Sequence, residues 1–344
     1  MVSLPLRNGN ETNHSNPPER SVDLKAITPP IKRELETFRA YFKNSMRSRV
    51  GLVDIVARYV VKQKGKRIRP ILVLLSASVS GGINGRTYRA ATLVEILHTA
   101  TLIHDDVVDD ADTRRGLASV NAIWKNKVSV LMGDYLLARG LLLSLDHDDF
   151  QFLKIISTAV KRMSEGEILQ IEKSRHLNID EETYFKIISD KTASLLSTCC
   201  EIGAASATEN EEIRIRMREF GEKVGIAFQI RDDLLDYTGH RSITGKPTGL
   251  DMSQKKLTLP LIHSLHKAPR GEARRMITLI KNGLRKKDGD AVLEFAHRYG
   301  GIDYAVEQAR GYGRLARENL ESLPDSPGKR ALLEFVEFVV TRTK

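Results

Sequence analysis

The chain has 344 residues, 41% of them hydrophobic, with 54 Lys and Arg against 44 Asp and Glu for a formal net charge of +10; that supports a sizeable core in one large domain or two smaller ones. The two cysteines, Cys199 and Cys200, are sequence neighbours, which excludes a disulfide framework and fits a reducing compartment. The basic balance calls for an anionic partner without choosing among nucleic acid, a phosphorylated metabolite and a membrane surface.

Residues 1–22 are polar, without the apolar stretch of a secretory leader. Residues 1–28 are expected to form a disordered tail, and Pro29-Pro30 opens one folded domain over 29–344. Apolar spacing then predicts helices over 31–48, 51–63, 67–80, 86–109, 127–146, 150–173, 181–204, 210–237, 257–266, 271–284, 288–299, 302–321 and 327–342. Breakers separate them, among them Gly81-Gly82, Gly116, Asn178, the segment 239–249, Gly300-Gly301 and Pro324. No alternating strand pattern stands out, and no apolar run approaches the roughly 20 residues of a membrane span. The expected class is all-α.

Helix 86–109 breaks its own pattern. Leu93, Val94, Ile96, Leu97, Ala100, Leu102, Ile103, Val107 and Val108 wrap most of its circumference, as in a buried helix. Yet His98, Thr101, Asp105, Asp109 and Asp112 form one stripe at spacings of three and four. Helix 210–237 repeats the device, with Gln229, Asp232, Asp233 and Asp236 on one side. The two pentapeptides DDVVD (Asp105–Asp109) and DDLLD (Asp232–Asp236) put their outer carboxylates one helical turn apart. Ionised carboxylates at that spacing repel, and burying them costs several kcal/mol each unless a cation meets them. A solvated acidic face is the plain alternative for one such cluster; two in apolar helices favour a divalent metal. An EF-hand over Asp110–Asn121 fails, because Arg114, Arg115 and Asn121 stand where ligands and the turn glycine belong. Carboxylates without nearby Cys suit Mg²⁺ (with Mn²⁺ as an alternative) better than zinc.

Cationic segments complete the pattern: Gly65-Lys66-Arg67-Ile68-Arg69-Pro70, Arg114-Arg115-Gly116, Lys191-Thr192, Gly245-Lys246-Pro247 and Lys255-Lys256. Arginine binds phosphate oxygens through paired donors and lysine as a mobile point charge, so metals plus these groups would neutralise a diphosphate. Each segment alone could be a surface basic patch. Nucleic acid is disfavoured, because the chain has one Trp and no recognised nucleic-acid motif.

The ordered set GKRIRP, VEILHTATLIHDDVVDDADTRRG, GDYLLARG, SEGEILQ, Lys191-Thr192, FQIRDDLLDYTG, GKPTGLD and KLTLP resembles the trans-type polyprenyl diphosphate synthases from about residue 30 to the end. The segment HTATLIHDDVVDDADTRRG is most similar to octaprenyl and solanesyl members. The resemblance implies the isoprenoid synthase fold, a single antiparallel helical bundle around a central cavity, in a homodimer. It implies a prenyltransferase that condenses isopentenyl diphosphate with an allylic diphosphate such as farnesyl diphosphate, giving a long all-trans product for a quinone side chain. Asp105, Asp109, Asp232 and Asp236 would hold Mg²⁺, with Asp106 and Asp233 assisting. Arg114, Lys191, Thr192, Gln229, Lys246 and Lys256 would contact the allylic diphosphate, with Arg114 and Lys191 also counted as catalytic. Lys66, Arg69, His98 and Arg115 would hold isopentenyl diphosphate. Glu167 and Gln170 match a family segment without an assigned role.

The product is expected to grow away from the metals among apolar helices. Ala100 and Thr101 leave open a region that short-chain relatives often close with aromatics, and three helical turns beyond them offer roughly 16 Å of depth. Leu97, Val94, Leu136, Leu137 and Leu141 are wall or floor candidates, or ordinary core residues. That depth, with the resemblance, predicts about six to nine isoprene units. The alternatives are a shorter-chain farnesyl or geranylgeranyl synthase, a class I terpene cyclase on the same fold, and a non-catalytic subunit. DDLLD in place of an Asn/Ser/Glu site argues against the cyclase, and two intact acidic motifs argue against the subunit. A cytoplasmic enzyme resting on the membrane periphery is expected, because a long prenyl tail must leave into lipid.

Overall fold

A computed structural model describes residues 24–63, 65–177, 179–238, 257–283 and 288–342. In chain order the helices are α1 (Leu24–Ile27), a 3₁₀ turn (Pro29–Ile31), α2 (Lys32–Ser45), α3 (Gly51–Lys62), α4 (Ile68–Ser80), α5 (Gly85–Val108), α6 (Val120–Leu145), α7 (Phe150–His176) and α8 (Glu181–Ile188). A π-helical turn (Ser189–Ala193) then leads into α9 (Ser194–Ala207), α10 (Glu211–Thr238), α11 (Leu259–Lys267), α12 (Arg270–Lys281), α13 (Gly289–Arg298), α14 (Gly301–Glu321) and α15 (Pro327–Thr341). The helices form the expected all-α bundle, and local chemistry fixes their starts. Asn84 and Thr87 make a reciprocal capping box on α5, Ser119 caps α6, Asp180 caps α8, and Ser326 caps α15 just before Pro327.

α4, α5, α9 and α10 run through the middle. Every residue of α5 from Ala90 to Ala100 is buried, as its all-round apolar surface requires. The α4–α9 crossing depends on Gly203: a Cβ there would lie 2.4 Å from the Val73 carbonyl oxygen, so the two backbones approach more closely than any side chain allows. One core cluster gathers Phe38, Phe152, Phe220 and Phe335 among α2, α7, α10 and α15; a second gathers Ile230, Leu234, Leu259 and Val292 among α10, α11 and α13.

The structure corrects the sequence reading at five places. Leu24–Ile27 is helical and Ile27 is fully buried, so packing begins before residue 29. The helix expected over 181–204 is interrupted by the π turn, which carries Lys191 and Thr192. α6 begins at Val120 instead of 127; Lys125 breaks it with φ 67°, so the regular helix does start near the expected point. Thr113–Arg114 pairs antiparallel with Leu117–Ala118, a hairpin too short to leave an alternating signature. Its turn residues Arg115 and Gly116 both have positive φ, as a two-residue hairpin turn demands. Finally, α6 is long and apolar enough to cross a membrane, with mean hydropathy 1.5 over its most apolar window; from Val128 to Leu145 its only charges are Asp134 and Arg139. It packs along α5, and a third of that window is buried in the fold.

Candidate active site

The two acidic clusters share a construction. α5 stays helical to its acidic end, where the Asp109 N–H donates to the Asp105 carbonyl at 2.8 Å. Asp105 and Asp109 are exposed there, while Asp106 turns inward and is buried. Arg114, delivered by the hairpin, donates to Asp106 Oδ1 from Nε at 2.7 Å and from Nη2 at 2.5 Å. On α10, Asp232 is exposed and Asp236 half-buried, while Asp233 is buried. Asp233 accepts from the Tyr184 hydroxyl and from Gln229 Nε2, both at 2.7 Å. In each pentapeptide the second carboxylate is therefore held by a fixed partner, and on α5 the outer two, Asp105 and Asp109, are exposed.

α7 and the π turn lie between the clusters. Lys191 Nζ meets Glu167 Oε2 at 2.5 Å and donates to Gln170 Oε1 at 2.7 Å. Thr192 Oγ1 donates to Gln229 Oε1 at 2.8 Å, so Lys191–Thr192 is linked through Gln229 to Asp233. Partial burial and the negative charges of Glu167 and Asp109 push the Asp105 carboxyl above its ordinary range, against the pull of Lys191 and Arg114. A carboxylate raised by its own kind is where a cation gains most. Among the described residues no three acidic, His or Cys side chains converge into a complete metal site. The donors at the two helix ends are carboxylate oxygens, the ligands of a hard divalent cation. The oxygen-only donor set and its repulsion fit such an ion.

Beside Asp106 a basic pocket is lined by Arg67, Glu95, His98, Thr99, Asp106, Arg114 and Arg115. Its volume of ≈ 20 Å³ is room for one water, so a diphosphate would enter only as the side chains that line it move apart. Arg67 and Arg115 both hold left-handed backbone, φ 48° and 52°, a strain that concentrates at working sites. The Arg115 guanidinium lies over Gly65, where a Cβ would sit 2.5 Å from Nη1. Burial, then Arg69, Arg115 and Arg114, hold His98 well below the ordinary histidine range, so its ring is neutral at pH 7. His98 Nε2 and Arg69 Nε are buried without a hydrogen-bond partner. Unpaired buried nitrogens among arginines are what an anion would satisfy.

Of the four residues predicted for isopentenyl diphosphate, His98 and Arg115 line this pocket. Arg69 borders it within electrostatic reach of both His98 and Arg115. Lys66 instead faces an adjoining groove with Lys62 and Arg67, its Nζ 5.7 Å from the centre of the Phe338 ring. Lys246 and Lys256 lie outside the described residues. Sequence reasoning passed over Glu95 and Arg342, and named Arg67 only as part of a cationic segment. Glu95 is one turn before His98, and extending the α5 polar stripe backward would have found it. Arg342 comes from the far end of the chain: Nη2 donates to Asp232 Oδ1 at 2.8 Å, and the guanidinium stacks 3.8 Å from the centre of the Phe228 ring. Only the tertiary fold shows that pairing.

Below the acidic end of α5 an apolar cavity of ≈ 320 Å³ opens between α5, α6 and α7, lined by Leu93, Leu97, Leu136, Leu137, Gly140, Leu141, Ile156 and Val160. Leu97 and Leu137 are among the residues expected there. Ala100 is buried one turn nearer the carboxylates, and half-buried Thr101 donates its hydroxyl to the His98 carbonyl at 2.9 Å. Exposed Lys161 lines the cavity as well, marking where it reaches the surface.

A helical bundle that sets one carboxylate-bearing helix end beside a basic pocket, carries a second such cluster on α10, and holds an apolar cavity along α5 defines a class of diphosphate-handling synthases. The chain belongs to the polyprenyl synthetase family, whose profile matches residues 51–296. It is 36% identical over 326 residues to the all-trans-nonaprenyl-diphosphate synthase (geranyl-diphosphate specific) of Rhodobacter capsulatus, covering 94% of this chain and 99% of that one. It is 33% identical over 323 residues to the octaprenyl diphosphate synthase of Escherichia coli, covering 94% and 100%. Its fold matches a decaprenyl diphosphate synthase from Rhodobacter capsulatus with a TM-score of 0.88 at 33% identity, over 94% of this chain and 100% of that one. It matches a polyprenyl synthase from Caulobacter crescentus, solved with calcium and isoprenyl diphosphate, with a TM-score of 0.87 at 32% identity, over 95% and 100%.

Proposed function

We propose that this chain is a trans-polyprenyl diphosphate synthase that adds isopentenyl diphosphate units to an allylic diphosphate and releases a long-chain product. The observation that carries this reading is the apolar cavity that opens between α5, α6 and α7 from Leu97, two helical turns before Asp105, and reaches the protein surface at Lys161. Long-chain synthases among the relatives support it, as does calcium in the Caulobacter structure for a divalent ion.

Asp105, Asp109, Asp232 and Asp236 would hold Mg²⁺, which when bound neutralises charge growing on the leaving diphosphate. Lys191 and Thr192 bind that diphosphate from the π turn, and Arg114 keeps Asp106 oriented while facing the same region. The pocket of His98, Arg69 and Arg115 holds isopentenyl diphosphate, so that its double bond lies against the allylic carbon. As the allylic carbon–oxygen bond breaks, the double bond attacks, and the proton lost from the adduct passes to the released diphosphate. No protein general base is required. Leu97 and Leu137 keep the growing tail dry. Purified protein given farnesyl diphosphate, labelled isopentenyl diphosphate and Mg²⁺ is expected to make labelled polyprenyl diphosphates, and EDTA to stop it. Cyclised hydrocarbon, or turnover unaffected by EDTA, would overturn the reading.

The α6 face not covered by α5 exposes Ile123, Val130, Leu131, Leu142 and Leu145, with Phe150 of α7 beside its end. A second copy of the chain, burying this apolar ridge against itself, is the occupant that the proposed homodimer supplies. Sedimentation equilibrium should give twice the monomer mass, and Leu131→Glu should shift it toward monomer. A wild-type monomer at micromolar concentration would refute it.

A further inference from the structure

The π turn Ser189–Ala193 aims Lys191 at α7 and Thr192 at α10. Such turns are rare one-residue insertions, and their hydrogen bonding alone does not favour them over a regular helix. Tertiary contacts must therefore hold this one.

On α7, Arg162, Gly166 and Gln170 recur at intervals of four and share a face. Gln170 touches Lys191. Gly166 permits the close crossing, since a Cβ there would be 2.9 Å from the Lys191 backbone nitrogen. Arg162, one turn further from the carboxylates, grips the start of the turn. Its Nε donates to Asp190 Oδ1 at 2.8 Å and its Nη2 to Ser189 Oγ at 2.9 Å. Nη2 and Nη1 also donate to Glu222 on α10, at 2.8 and 3.2 Å. Lys186 takes the second Asp190 oxygen at 2.9 Å, and the Ser189 hydroxyl donates to Glu222 as well. Asp190 and Glu222 are mostly buried, with side chains 12% and 20% exposed. This is a packed network, unlike the surface ion pairs that contribute little.

We propose that Arg162, which touches none of the proposed substrate-binding side chains, is the positioning residue that locks the π turn between α7 and α10 and thereby fixes the aim of Lys191 and Thr192. The guanidinium suits this task because its planar fork reaches three acceptors on two elements at once; a lysine ammonium cannot reproduce that geometry. The Glu222 and Asp190 hydrogen bonds hold the Arg162 proton more tightly than in a free arginine, so raising the pH does not open the lock. The proposal rests on the reading of Lys191 and Thr192 as allylic-diphosphate contacts.

The test compares Arg162→Met, Arg162→Lys, Glu222→Gln and Lys191→Ala in the full-length protein. It measures kcat, KM for farnesyl diphosphate and for isopentenyl diphosphate separately, and amide hydrogen exchange over residues 189–194. Arg162→Met is expected to raise the farnesyl diphosphate KM about tenfold, leave the isopentenyl diphosphate KM within about twofold, and speed exchange over the turn. Arg162→Lys and Glu222→Gln should fall between it and wild type, and they carry the test if Arg162→Met fails to fold. If Lys191→Ala leaves the farnesyl diphosphate KM unchanged, the reading of that contact has failed; accelerated exchange in Arg162→Met would then still establish the lock. If Lys191→Ala raises that KM while the Arg162 and Glu222 variants change neither it nor the exchange, the lock is overturned. A loss of binding for both substrates in equal measure would assign Arg162 a merely structural role.

Discussion

Asp105→Asn should abolish turnover, lowering kcat by at least about 10³, while leaving the protein slightly more stable. The loss follows from removing a charge that is needed as the leaving diphosphate departs; preorganised electrostatic contacts of this kind are worth about 3–4 kcal/mol each. The gain in stability follows from the sign of the Asp105 shift. Burial and the neighbouring carboxylates of Glu167 and Asp109 raise the folded-state pKa above the ordinary value. Ionised Asp105 therefore costs the fold free energy above that raised pKa, and the cost disappears as pH falls through it toward the unfolded value. Like charges one helical turn apart cost roughly 0.2–0.5 kcal/mol, so the melting temperature at pH 7 should rise by about 1 °C, and at pH 3 the variant and wild type should coincide. Asp232→Asn should abolish turnover equally but lower stability, because it breaks the ion pair with Arg342. Added Mg²⁺ and diphosphate should raise the wild-type melting temperature and leave that of either variant nearly unchanged, as expected for a ligand that binds only the native site. Calorimetry with and without Mg²⁺ decides this. A destabilised Asp105→Asn, or one that still responds to Mg²⁺ like wild type, would remove Asp105 from the metal site.

The bundle and the two acidic helix ends were legible because both rest on local periodicity. α5 is apolar all round except for a stripe, and that stripe is where the structure places His98, Asp105 and Asp109. What the sequence hid is non-local. The π turn cannot be read from 181–204, since its residues suit an α-helix and it persists through contacts with Arg162, Gly166 and Glu222 on other elements. The hairpin at 113–118 is too short for a strand pattern, yet it supplies the Arg114 partner of buried Asp106. Arg342 reaches Asp232 from 110 residues away. Lys66 and Arg69 stand in the same short motif on either side of Arg67, whose backbone is left-handed. Lys66 lines the groove that adjoins the pocket of His98 and Arg115.

Ala100→Phe should shorten the product, and the geometry specifies why. Ala100 is buried on α5, five residues before Asp105 and three after cavity-lining Leu97. Along a helix the distance from Asp105 to Leu97 is about 12 Å and to Leu93 about 18 Å, so a bulky ring at Ala100 meets the tail before it enters the cavity. The ring also has to be accommodated by neighbours already in contact, and overpacking of this kind typically costs about 1–3 kcal/mol; a lower melting temperature with retained turnover is part of the expected result. Leu137→Ala acts in the opposite direction: it widens the cavity on the α6 side and should lengthen the product or broaden its distribution. Reverse-phase chromatography of the dephosphorylated products reads both variants, with total isopentenyl incorporation as the control for lost activity. An unchanged distribution in both would mean that the tail leaves the carboxylates by another path, and the cavity between α5, α6 and α7 would then be packing space and not the product tunnel.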